Sequence, residues 1–280
     1  MSFKSQLIGR IGEELTREEI ELVPAGFQKV GDKIIVNLPL ELEDKYQVIG
    51  EGILLIFPSI KSVYVKVGEI TGELRRPQIE LIAGVDNSIV ENLENGVWYC
   101  YDAKKIMFAK GNVSERGRLP KLVTEGEIIV DMFVGIGYFS LPIAKLAKPK
   151  KIYGIDKNKD SIYWLKKGIE KNKISNIEVI EGDSKKVVGE LLSRGVIADR
   201  VLMGYLPEPV EFIPYALSIL KKGGIVHYDA LIRTDNVKED LQRVKALFEE
   251  SGRKAKIVNP QRVKSYRPKV DHYVVDLKIY

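Results

Sequence analysis

Asp131, Gly135 and Gly137 are the residues of this chain whose types and spacing point most directly to chemistry. They follow Glu127–Val130, an apolar, β-branched run that is typical of a buried parallel strand, and a helix is expected to begin just after them. A strand, a tight glycine turn and a helix N-terminus let a nucleotide approach the backbone and meet free N–H groups. The pattern Asp-x-Phe-x-Gly-x-Gly therefore predicts a nucleotide-binding turn, although Ser140 stands where a dinucleotide fingerprint has its third glycine.

Two further acids follow the next two predicted strands and so belong to the same edge of the sheet. Asp156 ends the strand Lys151–Ile155, about twenty residues past the glycine turn, where a carboxylate can accept both hydroxyls of a ribose. Asp183 follows the strand Ile177–Glu181. Either acid could instead cap the helix that comes after it, and the sequence alone leaves both roles open.

The fourth and fifth predicted strands end in residues that could meet a substrate. Ala198–Met203 continues into the loop Gly204–Pro209 at the carboxyl end of the sheet, where open α/β sheets hold their ligands. Tyr205 in this loop could stack on a planar base. His227 and Asp229, at the end of the fifth strand, could remove a proton, but His227 could equally be a packed strand residue.

The pattern of strands and helices changes along the chain and predicts two domains. Residues 1–118 mix a hairpin at Phe27–Leu38, a short helix at Leu40–Val48 and a strand pair before residue 100, which is an α+β pattern. Residues 119–280 alternate strands with helices, as a mostly parallel sheet requires, and end in an antiparallel pair, Ala255–Val258 with Tyr273–Ile279.

Bulk composition excludes several classes of protein. The 280 residues are 45% hydrophobic and 30% charged, and no apolar run approaches the ~20 residues of a membrane span. The first residues lack the apolar core of a signal peptide, so we expect a cytoplasmic location. One cysteine and two histidines leave no cysteine-cluster metal site and little for zinc, and we expect no metal. The net charge of +5 permits an anionic partner without requiring one.

Two basic segments are candidates for contact with an anion. Residues 102–119 could form a solvated connector, or could fold over the nucleotide with Arg116 reaching a ligand carboxylate or RNA phosphates. Residues 262–269 have the composition of a loop that suits a phosphate backbone, and a solvated turn is the alternative. The candidate RNA-binding side chains are Arg75, Arg262, Lys264 and Arg267.

Three motifs together resemble one group of tRNA enzymes. They are Lys105–Asn112 with Glu115-Arg116, Asp131–Gly137, and Ala198–Met203. The group contains the archaeal and eukaryotic tRNA guanine-N1 methyltransferases, which act next to the anticodon, and the related aminocarboxypropyltransferases of the wybutosine pathway. The resemblance implies a class I S-adenosylmethionine (SAM) enzyme: an α/β Rossmann-like sheet, mostly parallel with an antiparallel C-terminal strand, and a smaller N-terminal α+β domain on the tRNA side.

The loop after the fourth strand favours the aminocarboxypropyltransferases. The methyltransferases continue from the methionine with Asn-Leu-Pro, whereas this chain reads Met203-Gly204-Tyr205, as the aminocarboxypropyltransferases do. Glu211–Pro214 and His227-Tyr228 also follow the second group. The chain departs from the family pattern at Ala109, where a serine is usual, and at Asp156, where glutamate is frequent.

The resemblance therefore implies a SAM-dependent tRNA-modifying enzyme of archaeal type. It would move the 3-amino-3-carboxypropyl group of SAM to ring carbon C7 of 4-demethylwyosine, the tricyclic base at position 37 of tRNA-Phe, and release methylthioadenosine. The alternatives are guanine-N1 methylation at position 37, methylation of a protein or small molecule, whose Asn/Asp-Pro-Pro-Tyr loop is absent, and a non-catalytic tRNA-binding protein.

Several residue roles and partners follow from these motifs as expectations. The catalytic candidates are Tyr205, His227 and Asp229. We expect a monomer that binds the tRNA-Phe anticodon loop and no membrane. The residues expected to contact SAM as co-substrate are Phe108, Ala109, Arg116, Asp131, Phe133, Gly135, Gly137, Asp156, Lys157, Asp183, Ser184, Met203 and Gly204.

Overall fold

A computed structural model describes residues 1–68 and 76–280. These residues form two compact units. The first contains Met1–Leu93 and Cys100–Phe108, and the second contains Glu94–Tyr99 and Ala109–Tyr280. The candidate RNA contact Arg75 lies outside the described residues.

The first unit packs helices on a four-stranded sheet whose strands lie side by side in chain order. Its core is a cluster of buried aliphatic side chains from both layers, such as Leu7, Ile34 and Ile53. Its elements are α1 (Phe3–Ile11), α2 (Arg17–Leu22), β1 (Gln28–Val30), β2 (Lys33–Val36), α3 (Tyr46–Ile56), β3 (Ser62–Lys66) and β4 (Ile79–Gly84).

The predicted hairpin is confirmed, because β1 and β2 pair antiparallel around Gly31, whose φ is +56°. The predicted helix at Leu40–Val48 is different: a 3₁₀ turn at Leu40–Lys45 leads into α3, which continues to Ile56. Glycine often ends a helix, but α3 continues through Gly50 and Gly52. These two glycines instead permit close packing. A Cβ at Gly50 would lie 2.8 Å from Ala83 Cβ, and one at Gly52 would lie 2.8 Å from Ile11 Cγ2.

The strand pair expected before residue 100 is also wrong in its partners. Strand β4 pairs antiparallel with β3, not with the strand that follows it. That following strand, β5 (Ile89–Glu94), forms a separate two-stranded sheet with β6 (Val97–Asp102). The turn between them is Asn95-Gly96, with φ of +51° and +77°, as a type I′ hairpin turn requires.

The second unit is built on a seven-stranded sheet with helices between its strands. Its elements are α4 (Val113–Arg118), β7 (Ile128–Asp131), α5 (Ser140–Leu146), β8 (Lys151–Asp156), α6 (Lys159–Asn172), β9 (Ile177–Glu181), α7 (Ser184–Ser193), β10 (Ala198–Met203), α8 (Ile213–Ile219), β11 (Leu220–Arg233), α9 (Val237–Glu250), β12 (Ala255–Arg267) and β13 (Val270–Ile279).

The strands of this sheet lie in the order β12-β13-β11-β10-β7-β8-β9. The pairs joining β11, β10, β7, β8 and β9 are parallel, and β13 lies antiparallel between β11 and β12. This is the mostly parallel sheet with antiparallel C-terminal strands that the sequence predicts. The chain runs outward from β7 to β9 and then returns to β10 on the other side of β7, so strand order reverses beside β7.

The last two strands are longer than the sequence pattern predicts. The expectation of a loop at residues 262–269 is wrong, because β12 continues to Arg267 and the turn to β13 is Pro268-Lys269. Lys269 takes the left-handed conformation that this short turn needs, with φ of +60°. The prediction fails because basic and aromatic residues on an exposed strand resemble loop composition, while pairing with β13 decides the conformation.

A chain of buried charges ties three strands of this sheet to the segment that precedes β7. Asp276 on β13 accepts hydrogen bonds from both terminal guanidinium nitrogens of Arg118, at 2.6 and 3.0 Å, and lies 2.5 Å from Nδ1 of His227 on β11. Nε2 of His227 lies 2.6 Å from Nη1 of Arg200 on β10. Arg200 in turn forms a two-bond pair with Glu127. The neutral imidazole that donates from Nδ1 and accepts at Nε2 satisfies every one of these contacts.

The protonation states follow from burial and from these partners. Burial lowers the pKa of His227 below its ordinary value of 6.5, and the Arg200 and Arg118 charges act in the same direction, although Asp276 opposes them. Burial alone would raise the pKa of Asp276, but hydrogen bonds from His227 and Arg118 hold it well below its usual range. The network is therefore built around an ionised aspartate and a neutral histidine.

We expect His227→Gln to flatten the pH dependence of stability. In the native protein His227 stays neutral, whereas the unfolded chain takes up a proton below about pH 6.5. The free energy of unfolding of the wild type should therefore fall relative to that of the variant as the pH decreases from 8 to 5. Urea unfolding at several pH values measures this difference, and parallel curves would contradict a buried, neutral His227.

Candidate active site

Asp131 fixes the start of the glycine turn from inside the protein. Its side chain is 1% exposed, and its two oxygens accept hydrogen bonds from the Ser140 hydroxyl, at 2.6 Å, and from the Phe133 amide, at 3.3 Å. Burial raises the pKa of Asp131 to about 7, against the effect of these two donors. Ser140, at the position of the missing third glycine, is thus the residue that ties the end of β7 to the first turn of α5.

The two glycines of the turn adopt conformations that other residues avoid. Gly135 has φ of +54° and Gly137 has φ of +86°. A Cβ at Gly137 would also lie 2.5 Å from Leu141 Cγ and 2.7 Å from Leu165 Cδ1. The turn therefore depends on glycine both for its backbone and for its packing against α5 and α6.

Asp156 lies at the end of β8 and faces the glycine turn. One carboxylate oxygen accepts from the Gly135 amide and the other from the Asn158 amide, both at 2.8 Å. Burial raises the pKa of Asp156, although these two amides lower it. A carboxylate offers about four acceptor positions, so the half-buried side chain keeps acceptor capacity for a ribose while it holds the turn. The first turn of α6 is capped by Asn158, not by Asp156.

Asp183, which follows β9, caps the N-terminus of α7, as one of the two alternatives from the sequence predicted. Its side chain is exposed and accepts from the Lys185 amide at 2.8 Å, as the N-cap of α7. The neighbouring Ser184 is buried, and its hydroxyl donates to the Met132 carbonyl. Lys157, after Asp156, is exposed.

A group of partly exposed aromatic rings lies beside the glycine turn. The ring of Phe133 stacks on Tyr205 with centroids 5.1 Å apart and meets Phe212 edge to face at 4.8 Å. Met203, which precedes this loop, is fully buried at the end of β10. Gly204 lets the loop pass Phe139, since a Cβ there would lie 2.9 Å from Phe139 Cε2. We call Phe133, Tyr205 and Phe212 the aromatic wall.

Arg116 is placed differently from the expectation that it reaches a ligand. It is 1% exposed, and its guanidinium makes a two-bond ion pair with Glu94, at 2.6 and 2.8 Å. Its third nitrogen donates to the Ala109 carbonyl at 3.1 Å. These contacts commit the guanidinium to the protein. Phe108 belongs to the first unit, where its ring stacks on Tyr101 at 5.2 Å.

The remaining predicted residues lie on β11, where two candidate bases are buried, and on β12, where the candidate RNA contacts are exposed or partly exposed. His227 is buried in the charge network with both ring nitrogens engaged, which favours the packed role that the sequence left open. Asp229 is also buried, with one carboxylate oxygen 3.1 Å from Nε2 of His272. On β12, Arg262 is half exposed and pairs with Asp271, and Arg267 is exposed.

Lys264, the remaining candidate on β12, packs its aliphatic stem against Gly111. A Cβ at Gly111 would lie 2.6 Å from Lys264 Cδ. Across residues 1–68 and 76–280, no cluster of three or more His, Cys, Asp or Glu side chains could hold a metal ion. The same residues contain no helix with the length and apolarity needed to cross a membrane.

Comparison with known proteins identifies the family. Residues 90–258 match the TRM5/TYW2 methyltransferase domain, and residues 9–87 match the TYW2 N-terminal domain. The chain belongs to the TRM5/TYW2 family. This confirms the resemblance that the three sequence motifs indicated.

Relatives on both branches of the TRM5/TYW2 family are similar over almost the whole chain. The tRNA(Phe) (4-demethylwyosine(37)-C(7)) aminocarboxypropyltransferase of Pyrococcus horikoshii is 37% identical over 272 residues, which are 96% of this chain and 95% of the relative. The tRNA (guanine(37)-N(1))-methyltransferase Trm5b of Pyrococcus abyssi is 30% identical, over 97% of this chain and 79% of the relative. The crystal structure of P. horikoshii TYW2 in complex with MeSAdo superposes with a TM-score of 0.83 at 32% identity, covering 99% of each chain.

We expect Gly137→Ala to weaken nucleoside binding more than its backbone strain alone would. The new Cβ would collide with Leu141 and Leu165 in addition to occupying the left-handed region. Gly126→Ala is the matched control, since Gly126 has φ of +87° and open space within 4 Å of the position that a Cβ would take. Calorimetric titration with SAM and thermal unfolding compare the two variants. Equal affinities would show that packing of the turn against α5 and α6 does not shape the site.

Proposed function

We propose that this protein transfers the 3-amino-3-carboxypropyl group of SAM to C7 of 4-demethylwyosine at position 37 of tRNA-Phe and releases methylthioadenosine. The observation that carries the proposal is the sequence that follows Met203 at the carboxyl end of β10, which is Gly204-Tyr205-Leu206 in place of Asn-Leu-Pro. The aminocarboxypropyltransferase of P. horikoshii, at 37% identity over 96% of this chain, supports the same choice.

The carboxyl edge of β7 and β8 fits the adenosine part of SAM. Gly135 and Gly137 place no side chain at two positions of the turn, and Asp156 keeps acceptor capacity for the ribose hydroxyls. When bound, SAM supplies a sulfonium leaving group, so the protein has mainly to position the two reactants. In the reaction a carbon–carbon bond forms at C7 of the base, the γ-carbon–sulfur bond breaks with its electron pair passing to sulfur, and the ring proton is lost.

The aromatic wall is suited to hold the planar base. Flat, extruded bases are recognised by stacking on aromatic side chains. Tyr205 and Phe133 already stack on each other, and the edge-to-face contact of Phe212 supports Phe133. Nζ of Lys185 lies 4.8 Å from the centroid of the Phe212 ring and forms an ion pair with Glu211 at 2.5 Å. The cation–π contact with Lys185 therefore helps to hold the Phe212 ring in the wall.

Other residues of the second unit and its neighbouring motif are candidates for contact with SAM or for proton removal. The candidates for SAM contact are Phe108, Ala109, Lys157, Asp183 and Ser184, and the candidate for proton removal is Asp229. Arg262, Lys264 and Arg267 would face the tRNA phosphates, with Arg75 as a further candidate. Residues 1–118 would form the tRNA-side domain of a monomeric, cytoplasmic enzyme that contacts the anticodon loop.

The second candidate function is guanine-N1 methylation at position 37. The 30% identity with Trm5b of P. abyssi favours it, because that relative covers almost the whole chain and acts on a base at the same position. The absence of Asn-Leu-Pro after β10 argues against it. The two functions differ in which carbon of SAM reaches the tRNA, so product analysis separates them.

We expect label from the carboxyl carbon of SAM, and not from its methyl group, to reach the tRNA. The substrate is tRNA-Phe from a strain that lacks this gene, and each label is incubated separately with the wild-type protein. Methylthioadenosine should appear in equal amount. Methyl label on the tRNA, with adenosylhomocysteine released, would establish methyl transfer and overturn the proposal.

We expect Tyr205→Ala to lower kcat/KM for tRNA by about five- to 100-fold, because base stacking is worth roughly 1–3 kcal/mol. The calorimetric Kd for SAM should stay within about twofold, since the glycine turn and Asp156 are unchanged. Tyr205→Phe keeps the ring and serves as the matched control, with kcat/KM close to that of the wild type. If Tyr205→Phe were as impaired as Tyr205→Ala, the hydroxyl and not the stacking surface would be the functional group.

A further inference from the structure

Tyr99 compensates for a hydrogen-bond donor that α5 lacks. In an α-helix each carbonyl accepts from the amide four residues later, and Pro142 has no N–H. Tyr138 lies just before α5, whose N-cap is Phe139. The carbonyls on either side of it, of Gly137 and Phe139, accept from the amides of Leu141 and Ile143, four residues later. The Tyr138 carbonyl would meet residue 142 in the same way, but Pro142 has no N–H to donate. The Tyr99 hydroxyl donates to the Tyr138 carbonyl instead, at 3.2 Å, so a side chain supplies the donor at the junction of the glycine turn and α5.

Arg116 and Glu94 fix Tyr99 in this position. The Tyr99 side chain is 1% exposed, and the guanidinium carbon of Arg116 lies 5.8 Å from the centroid of its ring. The two-bond pair with Glu94 sets the plane of the guanidinium. The ring of Tyr99 is thereby held between a fixed cation and the carbonyl of Tyr138.

The guanidinium of Arg116 also holds the segment that contains Ala109, which the sequence motifs predict to contact SAM. Arg116 donates to the Ala109 carbonyl at 3.1 Å. Ala109 and Tyr138 belong to the family motif 105–112 and to the end of the glycine turn, respectively. Glu94, Tyr99 and Arg116 therefore connect two parts of the chain that are both expected to contact SAM.

The hairpin tip that carries Glu94 and Tyr99 is itself anchored. The Asn172 side chain accepts from the Trp98 amide at 3.0 Å and donates to the Trp98 carbonyl at 2.7 Å, as a neighbouring strand would. Lys145 on α5 donates to the Gly96 carbonyl at 2.7 Å. The tip is thus attached to α6 and α5 and can transmit their position to Tyr99.

We propose that Tyr99, held by Arg116 and Glu94, is a positioning residue that sets the geometry of the glycine turn for SAM. The inference rests on the proposed function in one respect, that the turn binds SAM. Glu94, Tyr99 and Arg116 act through backbone carbonyls and not by touching the co-substrate. Their loss should therefore affect SAM and methylthioadenosine alike, because both share the adenosine part that the turn receives.

The first test is a double-mutant cycle between Tyr99→Phe and Pro142→Ala, with Kd for SAM and for methylthioadenosine measured by calorimetry. Tyr99→Phe removes only the hydroxyl and should raise both Kd values about tenfold. Pro142→Ala restores an N–H that can donate to Tyr138, so the double variant should bind within about twofold of the wild type. Tyr64→Phe, a buried tyrosine of the first unit, is the control and should leave both Kd values unchanged.

The second test separates positioning from general destabilisation. Glu94→Gln removes the charge that orients Arg116, and Glu127→Gln does the same to Arg200 in a two-bond pair of nearly equal exposure, 15% against 16% for the carboxylates. Both variants should lose thermal stability, but only Glu94→Gln should raise the Kd for SAM. Arg116→Lys should behave as Glu94→Gln, since lysine cannot form the two-bond pair.

The outcomes distinguish the two proposals. If the wild type binds neither SAM nor methylthioadenosine, the proposed function fails. If the wild type binds and Tyr99→Phe binds equally well, or Pro142→Ala does not relieve the Tyr99→Phe defect, the positioning role is overturned. If Tyr99→Phe does not fold, equal SAM affinities of Glu94→Gln and Glu127→Gln overturn it, and a selective loss in Glu94→Gln supports it.

Discussion

The hydrogen bond between the buried carboxylate of Asp131 and the hydroxyl of Ser140 is the contact on which the site depends. It joins the last residue of β7 to the first turn of α5, and the two glycines lie between its ends. A buried carboxylate is costly unless it is hydrogen bonded or neutral. Burial raises the pKa of Asp131 to about 7, so the side chain meets this cost partly with its two donors and partly by holding its proton more tightly.

The sheet edge explains why the sequence could place several of the candidate residues close together. Parallel strands bring their carboxyl ends to one edge, so Asp131, Asp156 and the loop after Met203 can be placed together from strand order alone. The glycine turn is visible as well, because positive φ angles restrict these positions to glycine. The change between mixed and alternating strand patterns predicts a chain of two parts, but it could not show that Glu94–Tyr99 belong to the second compact unit.

Side-chain pairing could not be predicted in the same way. Arg116 has the features of a ligand-binding cation, and its partner Glu94 lies on a hairpin tip that the sequence places in a different element. His227 resembles a candidate base, while its partners Asp276 and Arg200 come from strands on either side of β11. The end of β12 resembles a loop because exposed strands carry loop-like residues. The hydrogen bond from Tyr99 could not be predicted either, because proline is ordinarily tolerated in the first turn of a helix. Only the flanking bonds from Leu141 to Gly137 and from Ile143 to Phe139 show that Pro142 leaves the Tyr138 carbonyl without a backbone donor.

The contact between Tyr99 and the carbonyl whose helical donor Pro142 removes has a consequence for how this sequence can diverge. A hydroxyl at position 99 is useful as long as position 142 is proline, and loses that use when any residue with an N–H replaces it. We therefore expect the two positions to depend on each other, although they lie on separate elements. Replacing Pro142 first would supply a backbone donor to the Tyr138 carbonyl before the Tyr99 hydroxyl is lost, whereas replacing Tyr99 first would leave that carbonyl without either donor. Because Pro142 lacks a backbone N–H, the order in which residues 99 and 142 change matters, and not only which residues finally occupy the two positions.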